Sequence, residues 1–201
     1  MEKREIAIFG GAFNPPINSH ILLAKNILYK YPQIEKLIFV PVSTRYQKDN
    51  LVQNEHRYNM LKLICNKEDK LEVSNIELIS KKQPYTIQTL DKFKQKYKNY
   101  NIYFIMGTDN LKELQSWKEP ERILKNYKII VLERENDSFE KIISSNKFLN
   151  SNKKSLIKLE GAKKIHLSST IIREKIKNSE EIDGFIDKDV LKYIKDNNLY
   201  K

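Results

Sequence analysis

Several short stretches carry side chains suited to holding a phosphate ester. In Gly10-Gly11-Ala12-Phe13-Asn14-Pro15-Pro16-Ile17-Asn18-Ser19-His20, a histidine falls in the opening turn of a helix that runs through Ile21, Leu22, Ala24 and Leu28. The first turn of a helix presents free N–H groups and the positive end of the helix dipole, so His20 lies where an anion is favoured. Near the other end of the chain, Ser168-Ser169-Thr170-Ile171-Ile172-Arg173 combines hydroxyls, a helix N-cap and a guanidinium one turn beyond Thr170. Those groups make a pyrophosphate clamp. Between them, Gly107-Thr108-Asp109-Asn110 pairs a glycine that admits close backbone approach with a carboxylate able to accept from ribose hydroxyls. Arg45 and Lys48 lie in a basic loop where they can meet phosphate, and Trp117 offers a flat ring for stacking. Each feature also has an ordinary structural use, as a tight turn, a capped helix, a solvated loop or a core ring. Residue types alone leave both open.

The elements that must position these groups are legible in the periodicity. Ile6-Ala7-Ile8-Phe9 is a nearly all-apolar run ending at the glycine pair, which fits a strand buried on both faces of a parallel sheet. Gly10-Gly11 is read as a sharp turn using backbone angles closed to other residues. Asn14-Pro15-Pro16 delays the helix, and Asn18 or Ser19 is expected to cap it. Leu37-Val40, Ile102-Met106 and Ile129-Leu132 read as further buried strands, Leu71 to Ile79 as a strand with its continuation, and Leu156-Leu159 as a sixth. Arg57, Met60, Leu61 and Ile64 fall at helical spacing. Thr86 is a candidate cap for a helix through Ile87, Leu90 and Phe93. The polar stretch from Glu135 to Lys154 is expected to hold a surface helix and a mobile loop, and Lys188 to Leu199 one amphipathic helix. The expected fold is α/β: a Rossmann-like, open, mainly parallel sheet of about five or six strands with helices on both faces and a small C-terminal helical extension.

At 201 residues, without a Pro/Gly/Ser-rich linker, the chain is expected to form a single domain over 1–201, its C-terminal helical part beginning at about 168. The net charge of +11 favours anionic partners. No basic run with interleaved aromatics stands out, which argues against nucleic acid. The single cysteine, Cys65, excludes an intrachain disulfide and a cysteine-rich metal site. With neither a signal peptide nor a membrane-length apolar run, the expectation is a cytoplasmic protein with no membrane partner. No His/Cys or carboxylate set has metal-ligand spacing. Oligomeric state is left open.

The stretch GGAFNPPINSH closely resembles the signature of the nucleotidylyltransferase superfamily, in which G-G-(T/S)-F-(D/N)-P is followed by H-x-G-H. Gly10, Gly11, Phe13, Asn14, Pro15 and His20 match it, whereas Ile17 stands at the first histidine and Ser19 at the glycine. FIMGTDNL continuing to Trp117, Tyr85-Thr86 before Thr89-Leu90, and HLSSTIIR in the form S-x-T-x-I-R extend the resemblance to the nicotinate-nucleotide adenylyltransferase family, over nearly the whole chain. The resemblance implies adenylyl transfer from ATP, carried with Mg²⁺, to nicotinate mononucleotide. It implies an ATP site of Gly10, Gly11, Ala12, Phe13, His20, Lys48, Gly107, Asp109, Ser168, Ser169, Thr170 and Arg173, with His20 and Arg173 as the catalytic pair. Tyr85, Thr86, Trp117 and Arg134 are the implied nicotinate mononucleotide set. Ile17 is expected to remove one imidazole from the triphosphate site, with Asn18 the candidate substitute. The alternatives are another adenylyl- or cytidylyltransferase, such as one acting on phosphopantetheine, and a catalytically weak nucleotide-binding protein.

Overall fold

The computed structural model describes residues 4–45, 50–134, 137–161 and 168–201. Its centre is a six-stranded sheet in the order β3-β2-β1-β4-β5-β6, parallel at every pairing. The strands are β1 (Arg4–Gly11), β2 (Ile34–Pro41), β3 (Leu71–Val73), β4 (Tyr100–Gly107), β5 (Lys128–Leu132) and β6 (Leu156–Lys158). The apolar runs become strands because helices cover both faces. Ile6 and Ile8 of β1 enter one core cluster with Ile87, Leu90 and Phe93, while Ala7 and Phe9 enter another with Leu23, Ala24 and Ile27. Alternate residues of one strand therefore serve two cores.

Helices α1 (Asn18–Lys30) and α2 (Asn54–Cys65) contribute to the second cluster. Helices α3 (Thr86–Lys96) and α5 (Pro120–Asn126), with the short α4 (Thr108–Glu113) after β4, contribute to the first. A third cluster joins Met60 and Ile64 of α2 to Ile172 of α8 (Ser169–Lys177), Val190 and Ile194 of α9 (Lys188–Asp196), and Leu199. Ile17 belongs to it and is 1% exposed.

The chain runs outward from β1 to β2 and β3 on one side and from β4 to β5 and β6 on the other. The carboxyl ends of β1 and β4 thus flank a topological switch point, the usual place for a ligand in an open α/β sheet. Among the described residues, no helix is long and apolar enough to cross a membrane.

Four local expectations differ from the structure. Leu71 to Ile79 is not one extended run: the strand stops at Val73, after which Ile76 packs on the first core, Glu77 is buried and Ile79 is 72% exposed. The alternation there reflects loop packing. The stretch 137–154 carries apolar anchors rather than a mobile loop, because α6 (Phe139–Ser145) and α7 (Lys147–Ser151) bury Phe139, Ile143 and Leu149. Thr86 is the first residue of α3 and Tyr85 holds the cap position, its N–H donating to Gln88 Oε1 at 3.0 Å. Neither Asn18 nor Ser19 caps α1. Ile17 occupies that place, and its N–H donates to His20 Nδ1 at 3.1 Å.

Candidate active site

A cavity of about 1140 Å³ opens at the carboxyl ends of β1 and β4. It is lined by Gly10, Gly11, Ala12, Phe13 and His20 of the first stretch and by Ser168, Ser169, Thr170 and Arg173 of the last. Gly107 at the end of β4, Asp109 and Arg134 lie on its wall, as do Tyr85 and Thr86 at the start of α3 and Trp117 ahead of α5. Arg45 also lines it, its Nη1 donating to the Ser80 carbonyl at 2.9 Å. Lys48 lies outside the described residues.

The glycine turn works differently from the reading of its sequence. The left-handed residue is Phe13, with φ 46°, and neither Gly10 nor Gly11 has a positive φ. Space is the constraint: a Cβ on Gly11 would lie 3.0 Å from the Phe13 ring. Phe13 in turn meets His20 edge-on, with ring centroids 5.2 Å apart. Gly107 is also required by space, since a Cβ there would press on the Asp109 carboxylate and approach Arg134 Nε to 3.3 Å.

His20 is half-buried, and burial, with the nearby Arg134 charge adding to it, pushes the imidazole down to about 4. The ring is therefore neutral near pH 7. An Nδ1 that accepts the Ile17 N–H leaves the ring proton on Nε2, so His20 is held as a neutral Nε2–H donor. A polyanion placed against it would raise its affinity for a second proton.

The last stretch is tied to the first across more than 150 positions. Ser169 Oγ donates to the Pro15 carbonyl at 2.8 Å, and Arg173 Nη1 to the Asn14 carbonyl at 2.9 Å. Arg173 Nη2 reaches Thr170 Oγ1 at 3.2 Å, and Ser168 Oγ caps α8 by accepting the Ile171 N–H at 3.3 Å. Beneath them lies Arg57, which is 0% exposed. Its Nε donates to the Val52 carbonyl at 3.0 Å, Nη1 to the Ala12 carbonyl at 3.0 Å and Nη2 to Asn54 Oδ1 at 2.8 Å. Burial lowers its pKa to about 10, which still leaves it charged at neutral pH. At helical spacing among Met60, Leu61 and Ile64, Arg57 reads simply as one turn of an amphipathic helix. Its burial depends on carbonyls brought from the glycine loop.

Ile17 and Asn18 do not serve the cavity. The Ile17 side chain is packed in the third cluster, and Asn18 is held by the chain before α9: its N–H donates to the Phe185 carbonyl at 2.9 Å and its Nδ2 to the Gly184 carbonyl at 2.9 Å. The Asn18 side chain therefore cannot stand in for a missing imidazole without losing its bond to Gly184. Ser19 lines the cavity, and its Oγ is buried with no hydrogen-bond partner among the described residues.

Across the cleft, Asp109 and Arg134 face each other, Nη2 to Oδ2 at 3.2 Å and Nε to Oδ1 at 3.3 Å, with both side chains more than half exposed. The Arg134 N–H also donates to Thr108 Oγ1 at 3.1 Å. Trp117 is half-buried against the first core, its ring edge-on to Phe104 at 6.4 Å. A buried acid also borders the cavity. Glu77 accepts from Thr89 Oγ1 at 2.7 Å and from Gln83 Nε2 at 2.6 Å, while Gln83 Oε1 accepts the Ser43 N–H at 2.9 Å. Burial raises the Glu77 carboxyl above its usual range. No local signal in the sequence marks Glu77, whose partners come from helix α3 and from the stretch just before it.

A phosphate-sized donor set at a helix start, facing a guanidinium clamp over the switch point of a parallel sheet, defines a nucleotide-handling class, and the chain belongs to the cytidylyltransferase-like family, whose pattern matches residues 8–175. Within that class it is similar over its full length to a probable nicotinate-nucleotide adenylyltransferase of Carboxydothermus hydrogenoformans, at 32% identity with 100% of both chains covered. A probable nicotinate-nucleotide adenylyltransferase of Borreliella burgdorferi is 36% identical, covering 97% of this chain and 96% of its own. Among solved structures, Plasmodium falciparum nicotinic acid mononucleotide adenylyltransferase complexed with NaAD superposes with a TM-score of 0.78 at 24% identity, covering 98% of this chain and 97% of that one. At that identity the likeness concerns the fold.

Proposed function

We propose that the chain transfers the adenylyl group of ATP to nicotinate mononucleotide, giving deamido-NAD and pyrophosphate. The observation that carries this reading is the convergence of His20 with Arg173, Thr170 and Ser168 on one cavity, in a chain whose full-length relatives bear that activity in their names. The 5′-phosphate oxygen of the mononucleotide attacks the α-phosphorus of ATP, a new P–O bond forms, and the bond to the bridging oxygen breaks as pyrophosphate leaves. A phosphate monoester is already anionic near neutral pH, so alignment and charge stabilisation suffice and no enzyme-bound intermediate is needed. His20 Nε2–H and the Arg173 N–H groups not spent on Asn14 and Thr170 take the phosphates. Asp109, exchanging Arg134 for ribose hydroxyls, takes the adenosine side with Gly10 to Phe13 and Gly107. Tyr85, Thr86, Trp117 and Arg134 take the nicotinate mononucleotide.

The donor set suits a Mg²⁺ that arrives on ATP. Asp109 is paired with Arg134, Glu77 is bonded to Thr89 and Gln83, and among the described residues no three His, Cys, Asp or Glu side chains are grouped to hold a metal. Magnesium characteristically keeps several waters and binds beside substrate phosphates, where it would offset the triphosphate charge. The same reading takes 1–201 as one catalytic unit, supported by the packing of α8, α9 and Leu199 around Ile17 and α2, and places it in the cytoplasm with its ATP.

Pyrophosphate release from ATP and Mg²⁺ should be followed in parallel with nicotinate mononucleotide, its amide analogue and phosphopantetheine. Turnover fastest with a pyridine mononucleotide is expected. Preference for phosphopantetheine, or no release with any acceptor, would sink the reading.

A further inference from the structure

The chain closes on its own phosphate-binding loop. Leu199 is buried in the third cluster, and Tyr200, at φ 67°, brings its hydroxyl 3.0 Å from Asn14 Oδ1. Asn14 is 2% exposed, and both ends of its carboxamide are engaged. Its Nδ2 donates to the Asn50 carbonyl at 2.7 Å, and its Oδ1 accepts the Val52 N–H at 3.2 Å. A carbonyl on one side and an N–H on the other decide which end of the carboxamide is oxygen, so the Tyr200 hydroxyl must be the donor. Burial holds the phenol above its ordinary range although Arg57 and Arg173 lie near it, which keeps that proton in place. The backbone carbonyl of the same Asn14 accepts Arg173 Nη1 at 2.9 Å. Phenol, carboxamide, backbone and guanidinium form one continuous path from the chain end to the cavity.

We propose that Tyr200 is a positioning residue: it fixes Asn14 and, through the Asn14 carbonyl, the plane of the Arg173 guanidinium. A guanidinium carries five N–H donors. One is committed to Asn14 and another to Thr170, and the plane they set decides where the remainder point. Donors aimed in advance at the phosphates need no reorganisation as charge develops, whereas a guanidinium free to swing would need it. The inference rests on the adenylyl-transfer reading for its kinetic consequence. A purely structural tail anchor would lower stability and leave turnover per folded molecule unchanged.

Tyr200→Phe keeps the ring packing and removes only the donor. With ATP, Mg²⁺ and nicotinate mononucleotide it is expected to lower kcat by about threefold to tenfold, the scale of one hydrogen bond, while KM for the mononucleotide stays within about twofold. Calorimetry with inorganic tripolyphosphate supplies a readout independent of turnover. Tyr200→Phe should bind about threefold or more weakly, and Tyr200→Phe/Arg173→Lys should bind no more weakly than Arg173→Lys alone. Wild-type kcat together with wild-type tripolyphosphate affinity in Tyr200→Phe would overturn the proposal, as would full multiplication of the two single effects. A wild-type chain that binds tripolyphosphate but transfers no adenylyl group would sink the transfer reading, and the affinity cycle would still decide the role of Tyr200.

Discussion

The two walls of the cavity are built on opposite plans. On the β1 side, His20, Ser169 and Arg173 are each held by backbone groups, and Arg57 is sealed beneath them with three acceptors. On the β4 side, among the described residues, the Asp109 and Arg134 side chains bond to each other across an exposed contact, and Tyr85 is 60% exposed. A wall of backbone-anchored donors costs little to present to a charge that appears during reaction. An exposed ion pair is worth at most about 1 kcal/mol and can be traded for substrate bonds. The difference separates a preset phosphate end from an exchangeable ribose and pyridine end.

The severest way to break the contrast is to remove the foundation of the rigid wall. Arg57→Met leaves the Ala12 and Val52 carbonyls without their buried donor, so unfolding by urea should show a loss of about 2–4 kcal/mol, with adenylyl transfer falling alongside. An unchanged urea midpoint would mean that the wall does not depend on Arg57.

His20→Ala should lower kcat by about a hundredfold or more, consistent with loss of a charge-stabilising donor. It should also cost about 2–4 °C in Tm, because the Ile17 N–H loses its acceptor at the start of α1. The pH dependence has a definite sign. His20 is near 4 when folded, below its ordinary 6.5, so the unfolded chain binds the extra proton between those values. Its contribution is complete above about pH 6.5 and is lost as the pH falls toward 4. Melting curves of the wild type should therefore show an acid-side loss in that window that His20→Ala lacks.

Ile17→His restores the missing motif histidine but places an imidazole inside the third cluster. A loss of about 1–3 kcal/mol in stability is expected rather than a gain in rate. A faster and equally stable variant would show that the buried position can turn to the cavity, and would erase the distinction between packing and phosphate contact at that wall.

On the exchangeable side, Asp109→Asn should leave Tm within about 1 °C, since it removes only an exposed ion pair, yet raise KM for ATP by about tenfold through weaker ribose bonding. A large fall in Tm with unchanged KM would place Asp109 in the rigid scaffold.

Much of this arrangement is local in origin and therefore readable from the chain alone. Apolar runs rich in Ile and Phe, ending at Gly10-Gly11 and at Gly107, specify buried parallel strands, and Ser168 caps its helix by bonding three residues ahead. Turn, cap and periodicity act within a few residues, so they appear in sequence order. The occupant of each side chain's environment does not. Ile17 reads as a vacant catalytic position and is a core residue because α2 and the C-terminal helices surround it. Asn18 is claimed by Gly184 and Phe185, Arg57 by Ala12, and Asn14 by Tyr200, across separations of 45 to 186 positions. Which of two chemically able groups faces the ligand, and which is spent on the scaffold, is set by partners that only folding brings within hydrogen-bond reach.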